Sequence, residues 1–275
     1  MQSGVQRLVR AHERAALEYL AQAPYENVFL AWLIAGDRST STRSSLYVYL
    51  ADRGRVRGVA FFGRQVVIAA DGDEAITAFA DVAPGYRFER MIVAPRAVTE
   101  RYWERVRRWH APPRRVRQSQ PVLAVDAKTI VVQPGTMTVR RAYPNEWEIV
   151  ADNSAKMIEH ELEYDPRTMS AEFNANVRIM IDRGLWWVGE QDARLCFFCN
   201  IGPRSDYTLQ LQGIWTPPEL RQRGLAAQAL GRICAELLEG SPSLSLYVNG
   251  FNQAALRLYE RTGFRRVGEL ATLLF

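Results

Sequence analysis

Two hydrophobic periods alternate along residues 137–275 in an order that leaves little freedom of fold. "MTVRRA" at 137–142 reads as a short strand. From Asn145 to Glu161 the apolar residues Trp147, Val150, Met157 and Ile158 fall at helical spacing. Asp165-Pro166 punctuates, and a second helix carries Met169, Phe173, Val177, Met180 and Ile181 on one face, stopping at Gly184. Three strand-like runs follow, "LWWVGEQ", "RLCFFCNIG" and "YTLQLQGIWT", the last closed by Pro217-Pro218 because proline cannot continue a central ladder. A helix opens near Gly224 and ends at Gly240 and Pro242. "SLSLYVN" alternates Leu244, Leu246 and Val248, which predicts a strand with one buried face. Asn252 reads as an N-cap and Gly263 as the C′ glycine of the next helix. "RRVGELATLLF" is the last strand, so the order is β-α-α-β-β-β-α-β-α-β and the class is α/β.

The first half repeats this order more loosely. Helical periodicity covers residues 8–22 and 26–35, "SLYVYLAD" and "RVRGVAFFGRQVVIAAD" read as two or three strands, and "DEAITAFADVA" as a helix. "FERMIVA", "VTERYWERVRRW" and "PVLAV" then read as strand, helix and strand. An internal duplication is expected, with a joint near 127–136 where "QPG" breaks the pattern, giving domains 1–130 and 136–275.

Composition narrows the class. At 275 residues and 48% hydrophobic, the chain can bury one large or two medium cores. Its longest wholly apolar candidate, Val28 to Ala35, falls far short of the roughly 20 residues of a membrane span. Arg7, Arg10 and Glu13 near the start leave no apolar segment of secretory type. The cysteines, Cys196, Cys199 and Cys234, are sparse and odd in number, which predicts a reducing cytoplasm. Net charge is +5, nearly all from arginine, with Lys128 and Lys156 the only lysines. That suits anionic ligands without requiring nucleic acid.

The chemistry concentrates at "PELRQRGLAAQAL", residues 218–230. A helix mouth has N–H groups without intrahelical partners and a positive dipole end, so it binds anions. Gly224 lets backbone approach a bulky anion, Ala226 keeps the next position small, and Arg221 and Arg223 add donors at the rim. The run is neither G-x-x-x-x-G-K-[ST] nor G-x-G-x-x-G.

Arg221-Gln222-Arg223-Gly224-Leu225-Ala226 resembles the acetyl-CoA loop [QR]-x-x-G-x-[GA] of the GCN5-related N-acetyltransferases. Its neighbours strengthen the likeness: a strand ending "GIWTPPEL" precedes it, and "NQAALRLYERTGF" follows with Asn252, Ala255, Tyr259, Gly263 and Phe264 in register. The resemblance covers roughly 137–275, and "HELEYDP" fits the bacterial subgroup whose first part is the domain of unknown function DUF4081. It implies two tandem lobes of this kind, each a mixed sheet flanked by helices, the first one degenerate. It also implies acetyl-CoA as co-substrate, no metal, and direct attack of a primary amine on the thioester in a ternary complex. Ile214, Trp215 and Thr216 would pair with the pantetheine arm, Gln222 to Ala226 would hold the diphosphate, Asn252 would reach the cofactor, and Tyr259 would protonate the leaving thiolate.

Many relatives carry a glutamate on the strand before the loop, where this chain has Gln210 and Gln212. Glu159, Glu161, Glu163 and His160 are the alternatives for binding or deprotonating the amine, or they form a solvated acidic helix end. Two rival readings stay open: an acyl-CoA sensor without turnover, and a transferase using an aminoacyl-tRNA donor. The tandem arrangement is similar to that of mycothiol synthase and the aminoacyl-tRNA-dependent peptidyl transferases. The run "RVRRWHAPPRRVR" at 105–117 reads as a solvated helix face plus linker rather than a nucleic-acid grip. Cys196 and Cys199, three apart on a strand, should point to opposite faces as small buried hydrophobes rather than as zinc ligands. The first repeat has "ADGDEA" at the matching junction, where Asp71, Asp73 and Glu74 would repel a diphosphate. The expected partner is a small-molecule or peptide amine, with no membrane.

Overall fold

The structure, a computed structural model, describes residues 4–36, 40–83 and 90–275. Phe88 and Glu89 of the expected strand "FERMIVA" lie outside them. The described chain carries the predicted element order twice. The first pass runs β1 (Gly4–Arg7), α1 (Arg10–Leu20), α2 (Val28–Gly36), a short α3 (Thr40–Ser44), β2 (Leu46–Leu50), β3 (Val56–Phe62) and β4 (Gln65–Ala70). It continues through α4 (Asp73–Val82), β5 (Met91–Pro95), α5 (Arg96–Val106) and β6 (Arg115–Asp126). The second runs β7 (Thr138–Arg141), α6 (Trp147–Leu162), α7 (Pro166–Met169), α8 (Phe173–Asp182), β8 (Trp186–Gln191), β9 (Arg194–Arg204) and β10 (Leu209–Trp215). Then come α9 (Leu225–Leu238), β11 (Ser243–Tyr247), α10 (Gln253–Arg261) and β12 (Arg265–Leu274).

The twelve strands of the described residues join one sheet, in the order β1-β2-β3-β4-β5-β12-β6-β11-β10-β9-β8-β7. Each pass contains one parallel pair, β4 with β5 and β10 with β11; the other neighbours are antiparallel. The two lobes exchange their last strands. β12, from the second pass, lies between β5 and β6 of the first. β6, from the first, lies between β11 and β12 of the second. The burial of β6 follows from this place. It alternates over Arg115–Ser119, then is buried without a break from Gln120 to Val125, where β11 joins β12 in flanking it.

Each lobe has an apolar core on both faces of its sheet. In the first, Ile76, Phe79 and Tyr102 of α4 and α5 fill one side and Ala16, Leu20 and Leu30 of α1 and α2 the other. In the second, Leu230, Ile233 and Leu237 of α9 fill one side and Val150, Ala151 and Val177 of α6 and α8 the other.

Three local expectations change. β11 is not half-buried: Ser243 and Ser245 are 4% and 0% exposed, because a central strand is covered on both faces. Their hydroxyls are satisfied, Ser243 donating to the Tyr207 carbonyl (2.7 Å) and Ser245 accepting from Thr208 (3.0 Å). The second helix is two: α7 ends at Met169 and α8 starts at Phe173, and the Asp165 carboxylate caps α7 by accepting the Arg167 N–H at 2.8 Å. Cys196 and Cys199 lie in the same core, beneath α9. The register against β8 jumps from Gly189↔Phe197 to Glu190↔Leu195, so Cys196 is the extra residue of a bulge and loses the alternation.

Candidate active site

The site begins where β10 and β11 part. Their parallel pairing holds only at Leu209↔Leu244 and Gln210↔Ser245. Beyond that a bulge between Gln212 and Trp215 turns β10, with Gly213 in the left-handed region at φ +62°. The β11-side edge of Ile214–Trp215 is left without a neighbouring strand.

The loop after β10 opens into a helix mouth. Gln222 (φ +62°) and Gly224 (φ +77°) both take left-handed backbone and turn the chain into α9. The first helical hydrogen bond runs from the Gln228 N–H to the Gly224 carbonyl (3.2 Å), leaving the N–H groups of Leu225, Ala226 and Ala227 ahead of it. A Cβ on Gly224 would meet nothing nearer than Gln228 Nε2 at 3.9 Å, so the space above the mouth is open. Arg221 ties the loop back to β10: its Nε donates to the Thr216 carbonyl (3.0 Å) and its guanidinium lies 4.5 Å above the Trp215 ring.

A cleft of about 990 Å³ joins the strand gap to this mouth. Ile214, Trp215, Thr216, Arg221 and Gln222 line it along the strand and loop. Gly224, Leu225 and Ala226 line it at the mouth, and Asn252 and Tyr259 from α10. From α6 come His160, Glu161 and Glu163. Of the residues singled out from the sequence, Arg223 and Glu159 are exposed and do not line this cleft.

Tyr259 is 6% exposed, its ring 5.8 Å from that of Phe264, and its hydroxyl has no hydrogen-bond partner among the described residues. Burial, and then the charge of Glu161, push its phenol well above the ordinary tyrosine range, so it keeps its proton. Asn252 caps α10, its Oδ1 accepting the Ala255 N–H at 3.1 Å, while lining the cleft. The acidic end of α6 divides. Glu163, in left-handed backbone at φ +62°, is ion-paired with Arg115. The Glu161 carboxylate has no ion pair or hydrogen bond among the described residues, though its carbonyl accepts from Arg115 and Arg117, each at 3.2 Å.

These two arginines belong to β6 of the first lobe and close the "RVRRWHAPPRRVR" run. Their spacing of two on a strand signals a shared face. What they reach depends on the strand exchange. Asn249 carries no signal of its own in the sequence. It lines the cleft, and its Oδ1 accepts from Gln120 Nε2 of β6 (3.1 Å), while Gln120 Oε1 accepts from the Thr272 hydroxyl of β12.

The matching junction of the first lobe is shorter and acidic. Only Asp71 and Gly72 separate β4 from α4, and Asp73 and Glu74 occupy the first turn. Asp71 pairs with Arg57 at 2.8 Å, and Asp73 with Arg101 and Arg105, each at 3.5 Å.

Sheet, strand gap and helix mouth together define a GNAT-like α/β fold present twice in one chain. Residues 146–264 match the acetyltransferase (GNAT) family, and residues 45–150 match DUF4081, a domain of unknown function. Among curated proteins, mycothiol acetyltransferase of Acidimicrobium ferrooxidans is 42% identical over 82 residues, which are 28% of this chain and 26% of that protein. The chain thus spans about a quarter of the length of this relative. Among solved structures, a Drosophila protein superposes with a TM-score of 0.68 at 11% identity, over 100% of this chain and 99% of that one. A GCN5-related N-acetyltransferase from Sphaerobacter thermophilus gives 0.61 at 14%, over 98% and 95%. A tandem GNAT protein from the clavulanic acid biosynthesis pathway, in a structure without AcCoA, gives 0.57 at 11%, over 99% and 98%. These likenesses carry the whole two-lobed fold. Among the described residues no helix is long and apolar enough to cross a membrane.

Proposed function

We propose that the chain is an acetyl-CoA-dependent N-acetyltransferase whose chemistry is confined to its second half, 136–275, with the first, 1–130, as a non-catalytic lobe. The observation that carries this reading is one cleft holding an unpaired strand edge, a glycine-led helix mouth and a protonated tyrosine. Coenzyme A fits that combination. Its diphosphate would meet the N–H groups of Leu225 to Ala227. Its pantetheine arm would pair with Ile214–Thr216 as an added strand. An N–H on that edge would polarise the thioester carbonyl.

In the reaction, the lone pair of a primary amine forms the N–C bond and the C–S bond breaks. The ammonium proton leaves through Glu161, the cleft carboxylate without a partner, or through water. The thiolate takes a proton from Tyr259. A phenol holds its proton across the neutral range, and burial raises its pKa further. The acceptor would be a small molecule or a peptide amine, and the compartment the cytoplasm.

A sensor that holds acyl-CoA without turnover is the second reading, favoured by the neutral Gln210 and Gln212 on β10. Incubation with acetyl-CoA and a panel of amines, followed by thiol release, separates the two. Turnover on any amine supports transfer, binding without turnover supports the sensor, and no binding of coenzyme A sinks both.

A further inference from the structure

A second cleft, of about 450 Å³, lies between the two lobes. Phe29, Trp32 and Val93 of the first lobe line it together with Met180, Leu185 and Ile201 of the second. Helix α2 packs against β9 beside it, so the first lobe forms part of its wall. Among the described residues its charged lining is one residue of each sign, Glu26 and Arg183. Such a lining does not favour a polycation. The volume is within the range of roughly 300–1,000 Å³ that takes small ligands.

What gives this cleft meaning is its place on the strand gap. Extending the parallel register past Gln210↔Ser245 would bring Gln212 opposite Tyr247, and then Ile214 opposite Asn249. Gln212 and Tyr247 line the interlobe cleft, whereas Ile214 and Asn249 line the cleft of the helix mouth. The two clefts therefore draw lining residues from successive positions of the same two parted strands. Tyr247 is 38% exposed and lines the interlobe cleft beside Gln212.

The geometry points to the interlobe cleft as the acceptor site, and to a primary amine carried on an apolar body as its ligand. The amine enters between the lobes, packs its body against Trp32 and Phe29, and brings its nitrogen to the thioester through the gap at Gln212 and Tyr247. The degenerate lobe then contributes to binding, because it supplies one apolar wall of the acceptor pocket. This rests on the acetyl-transfer reading.

Calorimetric titration of the full chain with phenylethylamine, and with spermidine as a polar contrast, tests it with and without coenzyme A. Phenylethylamine should bind saturably and more tightly than spermidine. Trp32→Ala should weaken that binding by about tenfold or more, the loss of a large apolar contact, and leave coenzyme A affinity within about twofold. Phe29→Leu, a milder change, should weaken it by a few-fold and guards against a Trp32→Ala chain that does not fold. Where turnover is seen, both variants should raise the KM for phenylethylamine more than they lower kcat. Preference for spermidine, no saturable binding of phenylethylamine in either state, or unchanged affinity in both variants overturns the proposal. Failure of coenzyme A to bind would overturn the acetyl-transfer reading instead, while the amine titration alone would still judge the cleft.

Discussion

The molecule contains the same strand-to-helix junction twice, and the two copies have diverged in charge and length. Between β10 and α9 lie nine residues, 216–224, with two left-handed turns and a glycine at the mouth. Between β4 and α4 lie two, 71–72, and the mouth carries its own carboxylates, Asp73 and Glu74. A helix end attracts an anion in either case. In the first lobe the anions are built into the chain and already paired with Arg57, Arg101 and Arg105. In the second the charge of the loop is reversed and the N–H groups face an open cleft. The fold supplies the dipole, and the loop decides whether a ligand can use it.

The largest effect should come from Gly224→Glu, which makes the second mouth resemble the first. A side chain there strains left-handed backbone by about 1–2 kcal/mol and places a carboxylate in the open space above the N–H groups. Coenzyme A affinity should fall by about a hundredfold or more in calorimetry, and wild-type affinity would refute the loop assignment. Next, Tyr259→Phe should lower kcat by about tenfold to a hundredfold with the coenzyme A affinity within about twofold, as loss of a proton donor requires. An equal fall in affinity would make Tyr259 a packing residue only. Arg221→Ala should weaken coenzyme A about tenfold, measured at two salt concentrations, because a charged donor leaves the rim.

A smaller effect concerns stability at high pH. Folded Tyr259 keeps its proton beyond the pH, about 10, at which an unfolded tyrosine loses it. The unfolded state therefore binds fewer protons, and stability falls as pH rises above about 10. Thermal melts from pH 9 to 11 should fall more steeply for the wild type than for Tyr259→Phe. The smallest effect is expected from Asp71→Asn with Asp73→Asn on the Gly224→Glu background. Removing these exposed pairs should change stability by no more than about 1 kcal/mol. It should restore no coenzyme A binding, since the junction stays too short to build a nest. Binding regained there would erase the distinction between the lobes.

Much of this was legible in the chain itself. Proline pairs, glycines and the switch between periods mark nearly every element, because these signals act within a few residues. β1 and α3 leave no such mark, being four and five residues long and without an apolar stripe. The cleft proposed for coenzyme A was readable for the same reason as the fold: strand end, loop, helix mouth and Tyr259 lie within one stretch of sequence. The side proposed for the acceptor was less so. Glu159, Glu161 and Glu163 look alike in "IEHELEYD", and only packing separates an exposed Glu159, a paired Glu163 and a Glu161 left without a partner.

The sequence by itself determined the α/β class, the duplicated order of elements and the contrast in charge between the two strand-to-helix junctions. These depend on local period, backbone freedom at glycine and the sign of nearby charges. Tertiary structure decided what depends on distant segments meeting. The exchange of β6 and β12 places Arg115, Arg117 and Gln120 of the first lobe against Glu161 and Asn249 of the second. It also buries both faces of β11. The cleft between the lobes draws its two walls from segments more than a hundred residues apart, such as Trp32 and Met180. No local pattern records such pairings, because strand order in a sheet is set by which edges remain open when the lobes close on each other.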